Sequence, residues 1–251
     1  MFLCKNTLLF SRIGLAARKR LPDPDSVPPQ KWECIRMYQF DWSVIQDGQL
    51  WLNAIGVTVA YAAVTSLAGL LIGVFLGLAL VARIPVLTLI INAYIHLFRC
   101  TPLLVQIVWF FYALPMLTGY TLPDWFAAGL GLTLYMAAFS AEIFRAGVIS
   151  IDRGQWEAST VLGFSYVTKM RHIILPQATR RMIPPIVSQT ILQLKNTSLL
   201  SVVAVPDLMY AAGSLTMETY RPLEVYTFAA LLYLAILTPV TLIANRFEIK
   251  H

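Results

Sequence analysis

The sequence predicts an all-α, polytopic membrane protein with five transmembrane helices, and three observations predict it. The first is composition: 58% of the 251 residues are hydrophobic and 13% charged, with a mean hydropathy of +0.67. A soluble domain averages about 45–50% apolar and about 25% charged. The second is that the apolar residues gather in runs at least as long as the roughly 20 residues that cross a bilayer. The third is where the basic residues lie. A net charge of +6 invites a nucleic-acid reading, but Arg145, Arg153, Lys169, Arg171, Arg180 and Arg181 crowd one polar stretch beside apolar runs. That is the clustering membrane orientation requires, so the expected partner is the lipid bilayer and no nucleic acid.

Residues 1–36 are basic and proline-punctuated, with no apolar stretch long enough for a signal peptide or a span. They read as a disordered tail or a misannotated N-terminal extension ahead of Met37. The first span is 54–82, where Gly56, Gly69, Gly73 and Gly77 offer a smooth face for close helix packing. After the Arg83-Ile84-Pro85 turn, a second run covers 86–117 and is interrupted at Pro102, which kinks or breaks the helix. Arg99 stands beside that interruption, and a charge at membrane depth faces a bundle interior or a wet cavity.

The third span is 125–144, and near its end Glu142 and Arg145 are three apart on one helix face, spaced to form an ion pair. A polar loop of about 146–181 follows. Within it, 155–176 carries mixed charge and its own Gly and Pro punctuation, and reads as a short amphipathic helix that docks something. The fourth span runs 182–205, with Pro184 and Pro185 in its first turn and a polar seam that includes Ser188, Gln189, Gln193, Lys195, Asn196, Thr197 and Ser198. Residues 206–222 read as a loop, 223–244 as the fifth span, kinked at Pro239, and 245–251 as a polar end.

Alternation of five spans puts Arg83, the 145–181 basic residues, Arg246 and Lys250 on one side and only Arg221 in the opposite loops, while the seven basic residues before Met37 fall on that opposite side, a second reason to read 1–36 as an extension. The basic side is cytoplasmic, with the N-terminus outside and the C-terminus cytoplasmic. Cys4, Cys34 and Cys100 lack metal-ligand or disulfide spacing, and Cys100 in its apolar run reads as a small buried thiol. His96, His172 and His251 are too scattered for a metal site. No catalytic or metal-ligating set emerges, and there is no Walker-type phosphate loop.

Four boxes carry a resemblance. Glu157-Ala158-Ser159 with Gly163, Ile173, Leu175 and Pro176 resembles the cytoplasmic signature loop of permease subunits in ATP-binding-cassette importers, with Ser159 where the family usually has Ala. Arg99-Cys100-Thr101-Pro102-Leu103-Leu104-Val105-Gln106 resembles a box of polar amino-acid permeases in which Cys100 replaces Gly. Ala141-Glu142-Ile143-Phe144-Arg145-Ala146-Gly147 and Lys195-Asn196-Thr197-Ser198-Leu199 are similar to two more. The resemblance covers 37–251 and implies the type I ABC importer (MetI-like) transmembrane domain, for polar amino acids of the histidine, glutamine, arginine or opine class.

By that resemblance Arg153, Gln155, Trp156, Glu157, Ala158, Ser159, Gly163, Leu175 and Pro176 couple to the ATPase, while Arg99, Thr101, Gln106, Lys195, Asn196 and Ser198 are substrate-path candidates. It further implies cytoplasmic ABC ATPase subunits that hold ATP and magnesium, no cofactor in this chain, a second permease subunit, identical or sister, and a periplasmic substrate-binding protein. The location it implies is the bacterial inner membrane. A different class is an ion-coupled secondary transporter or channel using Arg99, Glu142 and Lys195 as a charge relay; it predicts transport without an ATPase. An intramembrane hydrolase lacks its paired Asp, Ser-Lys or His-Glu motif.

Overall fold

The structure is a computed structural model and describes residues 40–82 and 84–248, with side chains as far as 242. The expectations for 1–36, Met37, Arg83 and 249–251 lie outside the described residues, as do those for the side chains of 243–248. Every described helix belongs to the compact unit Asp41–His251. A 3-10 turn, Trp42–Ile45, precedes α1, Gly48–Val81. Then come α2, Pro85–Cys100, and α3, Leu103–Thr118, which contains a π-turn at Trp109–Ala113. Next are α4, Asp124–Ile149, and the short α5, Arg153–Val161. The long α6, Tyr166–Val203, has a π-turn at Met170–Ile174 and a 3-10 end from Thr197. Last are α7, Leu208–Thr219, and α8, Pro222–Glu248. The described residues contain no strand.

α1, α4 and Pro222–Leu242 of α8 are long and apolar enough to cross a membrane; the bent pairs α2 with α3 and α6 with α7 bring the number to five if each is one span. Pro102 breaks the second run outright: α2 and α3 meet at 107°, because Pro102 has no N–H to continue the ladder and disfavours the helical conformation of Thr101.

Helix boundaries depart from expectation in three places. α1 begins at Gly48, six residues before the expected start, since Asp47 caps it by accepting from Gln49 N at 3.1 Å and Leu50 N at 3.2 Å. The helix of the expected fourth span, α6, begins at Tyr166, where Ser165 accepts from Thr168 N. Pro184 and Pro185 therefore sit in its interior; they remove two donors from a helix already established upstream and do not start it. The loop expected at 206–222 is largely α7, capped by Asp207, whose Oδ1 accepts from Tyr210 N at 2.9 Å. Its Leu208, Ala211 and Ala212 pack on Trp51, Ala54 and Val225.

The seam between α1 and α4 is made by small residues. Gly69, Gly73 and Gly77 lie against Met136, Ser140 and Phe144 in turn, each too close for a side chain; Gly56 faces open space and takes no part. Gly147 of α4 repeats the device against Met182 of α6. Lipid is as apolar as a helix surface, so close packing and polar bonds hold such bundles. Gln193 Nε2 donates to Thr65 Oγ1 at 3.1 Å and to Leu132 O at 2.9 Å, joining α6, α1 and α4. Leu208 N donates to Thr58 Oγ1 at 3.0 Å. At the start of α8, the fully buried Glu224 accepts from Asp41 N at 3.1 Å and from Arg221 Nη1 at 3.2 Å.

Candidate functional site

α2 is the most amphipathic of the long helices, and its geometry builds one wall of the site. Ile91, Ile95 and Phe98 are buried, the first two against Leu80 and Ala141, while Leu89, Ile90 and Leu97 are exposed. Thr88, Asn92, His96 and Arg99, spaced four, four and three, form a polar stripe between those faces. The stripe lines a cavity of about 1200 Å³. Glu142 and Arg145 of α4 enter from the second wall, and Arg153 and Trp156 of α5 from the third, with Tyr166 at the start of α6. The volume exceeds the roughly 300–1,000 Å³ of a small-molecule pocket.

The charges in it are arranged. Arg145 donates from Nε to Glu142 Oε2 at 2.9 Å and from Nη2 to Oε1 at 2.5 Å, a two-pronged pair that occupies both carboxylate oxygens. The Arg99 guanidinium lies over the Phe139 ring, 5.2 Å from its centroid, a cation–π contact. Among the described residues no carboxylate lies within ion-pairing distance of Arg99 or Arg153.

The break beside Arg99 is stapled by Gln106. The two N–H groups of its buried Nε2 are shared among Phe98 O at 2.9 Å, Thr101 O at 3.1 Å and Thr101 Oγ1 at 2.6 Å, tying the end of α2 to α3. Cys100, expected to be buried, is exposed at the end of α2 beside the break.

α5 carries most of the residues assigned to ATPase coupling. Asp152 caps it, accepting from Gly154 N at 2.7 Å. One face turns inward: Ser159 is buried and donates to Trp156 O at 2.8 Å, and Trp156 packs into the cluster of Ile151, Met170 and Ile174. Arg153, Gln155, Glu157 and Ala158 are exposed. So are Val161 and Leu162 at its tip, and Phe164, Tyr166 and Val167 just beyond.

Gly163 ends α5 with a φ of +76°. Phe164 N reaches Ser159 O at 3.1 Å and Gly163 N reaches Thr160 O at 3.0 Å, the paired bonds of a Schellman stop. A Cβ at Gly163 would meet nothing within 4 Å, so within this chain the glycine is required by its backbone angle. Leu175 is half-buried and Pro176 exposed in α6, after the π-turn.

The structure thus brings Arg99, Glu142, Arg153 and Trp156 around one cavity, with Thr101 and Gln106 at the adjoining break. It does not bring Lys195, Asn196 and Ser198 there: they lie at the end of α6, where the α-helix tightens into 3-10 geometry. Lys195 is exposed, Asn196 half-buried, and Ser198 Oγ donates to Lys195 O at 2.8 Å. A relay from Arg99 through Glu142 to Lys195 is therefore not assembled around the cavity. Thr88, Asn92, His96 and Tyr166 are wall residues that the sequence reading does not assign to the site; the four-four-three spacing of the first three with Arg99 is the signal that points to them.

Residues 69–250 match the family described as binding-protein-dependent transport system inner membrane component. Similar proteins include the arginine transport system permease protein ArtQ of Bacillus subtilis (strain 168), 33% identical over 199 residues, which cover 79% of this chain and 91% of the relative. The probable glutamine ABC transporter permease protein GlnM of the same organism is 39% identical, covering 74% and 87%. The glutamine transport system permease protein GlnP of Escherichia coli (strain K12) is 34% identical, covering 84% and 97%. Among solved structures, an amino acid ABC transporter crystallised with histidines superposes with a TM-score of 0.81 at 29% identity, over 85% of this chain and all of that one. The MetNI methionine ABC transporter in an inward-facing conformation shares the fold, with a TM-score of 0.65 at 20% identity over 79% and 94%.

Proposed function

The chain belongs to the family of binding-protein-dependent transport system inner membrane components, and from that premise we propose that it is the permease subunit of a type I ATP-driven importer of a polar amino acid or amino-acid derivative. It is a multi-pass inner-membrane transport subunit, and ATP is hydrolysed by a separate ATPase. The matched arginine, glutamine and amino-acid permeases support the cargo class.

One piece of geometry carries the mechanism: Arg153 and Trp156 of α5 line the same cavity as Arg99 of α2 and Glu142 and Arg145 of α4. ATP closes the nucleotide-binding subunits, α5 moves with them on its exposed face, and the cavity wall it forms moves at the same time. ATP drives this because it binds the two states with different affinity. Arg153, Gln155, Glu157 and Ala158 present the docking face; Trp156 and Ser159 fasten it to the bundle. Gly163 sets the end of the helix, and Leu175 and Pro176 carry the motion into α6. Arg99, Thr101 and Gln106 belong to the path beside the break, and Lys195, Asn196 and Ser198 to a polar seam of the same bundle.

The assembly contains two cytoplasmic ATPases with ATP and magnesium, a second permease, identical or sister, and a periplasmic binding protein; no cofactor is held by this chain. The Lys and Arg bias supports a cytoplasmic 146–181 loop and C-terminus, with the N-terminus outside. The test is uptake in proteoliposomes holding this permease with its ATPase and binding protein. ATP-dependent uptake is expected, with none when the ATPase is omitted. Uptake driven by an ion gradient without the ATPase would support the secondary-transporter class and overturn this reading.

A further inference from the structure

We propose that the cavity selects a cargo that carries a carboxylate and no cationic side chain, so that this permease moves neutral or acidic α-amino acids and rejects basic ones. The proposal rests on the permease reading above and adds to it the charge class of the cargo.

Three guanidinium groups, Arg99, Arg145 and Arg153, line the cavity against one carboxylate, Glu142; His96 and Tyr166 are the other titratable groups on its wall. That carboxylate is already neutralised, with both oxygens held by Arg145. A cationic side chain entering here finds no unclaimed anion and meets like charge from α2, α4 and α5.

A carboxylate meets the opposite situation. Arg99 and Arg153 have no carboxylate partner among the described residues. Arg99 lies over Phe139, 5.2 Å from the ring centroid, a cation–π contact that restricts its side chain before the cargo arrives. A guanidinium fixed in this way binds carboxylate by two parallel N–H···O bonds, which a lysine or a mobile arginine does less well. Asn92 extends the same face of α2 with a neutral amide, suited to an amide or hydroxyl side chain.

The experiment is equilibrium binding of radiolabelled L-glutamate, L-glutamine and L-arginine to the purified complex of the full chain with its ATPase in detergent, without the binding protein. Retention of glutamate or glutamine is expected, with arginine at least about tenfold weaker, and Arg99→Gln should weaken the retained ligand by about tenfold or more, with Arg99→Lys between the two. Arginine bound as tightly as the other two overturns the proposal. So does binding of none of the three by a complex that still hydrolyses ATP. Failure of the chain to capture an ATPase overturns the permease reading and this proposal together, whereas capture followed by arginine binding overturns the charge selection alone.

Discussion

Gly73 lies against Ser140 so closely that a methyl group added at the glycine would overlap the serine Cβ and stand 2.9 Å from both Ala137 O and Ala141 N. Two of those three obstacles are backbone, which cannot rotate away. Gly73→Leu should therefore force α1 off α4, at a cost of about 1–3 kcal/mol or more, and lower the thermal midpoint of the detergent-solubilised complex. Gly56→Leu, on the same helix with open space around it, is the matched control and should leave the midpoint unchanged. Equal effects of the two would contradict the packing described.

At Gly163 the constraint is an angle. Gly163→Ala places a Cβ in the left-handed region at about 1–2 kcal/mol, and Gly163→Asn, which tolerates that region better, should cost less. The readout is uptake per ATP hydrolysed: the order wild type, Asn, Ala, with Gly163→Arg lowest, is expected. An alanine variant coupled as tightly as wild type would remove the Schellman stop from the mechanism.

Glu157 separates docking from folding. It is exposed, and its carboxylate takes no hydrogen bond or ion pair from the other described residues. Glu157→Lys should therefore leave expression and thermal midpoint intact while uptake per ATP falls about tenfold, equivalent to ~1.4 kcal/mol of lost coupling. Normal uptake with normal hydrolysis would take this residue out of the ATPase contact.

Gln193 tests the polar fastening of three helices. Gln193→Leu removes the bonds to Thr65 Oγ1 and Leu132 O, and interhelical bonds of this kind in membranes average about 0.6 kcal/mol, with a maximum of about 1.7. A loss of that size in reversible detergent unfolding is the expected result, with ATPase capture retained.

Much of this architecture is written in local chemistry. Pro102 announces the corner between α2 and α3, Gly69, Gly73 and Gly77 announce a contact face at four-residue spacing, and Glu142 and Arg145 announce their pair. Other features depend on what lies across from them. The stretch between Pro206 and Pro222 is too short to span a membrane and so reads as a loop; what makes it helical is the Asp207 cap and the surface that Trp51 and Val225 offer. Pro184 and Pro185 suggest a helix start, yet the cap is Ser165, nineteen positions before Pro184 and hidden among the polar residues of the loop. Thr88, Asn92 and His96 are inconspicuous as single polar residues in an apolar run, and only with Arg99 do they describe a wall. Gly163 suggests room for a close contact from its residue type alone; its backbone angle gives it a different reason to be there.

α5, only nine residues long, is both the piece proposed to face the cytoplasmic motor and, through Arg153 and Trp156, part of the chamber's own lining. No long chain of intermediaries then has to carry the signal. In the proposed mechanism the lever and the door are one short helix, so a stroke of one is a change in the shape of the other.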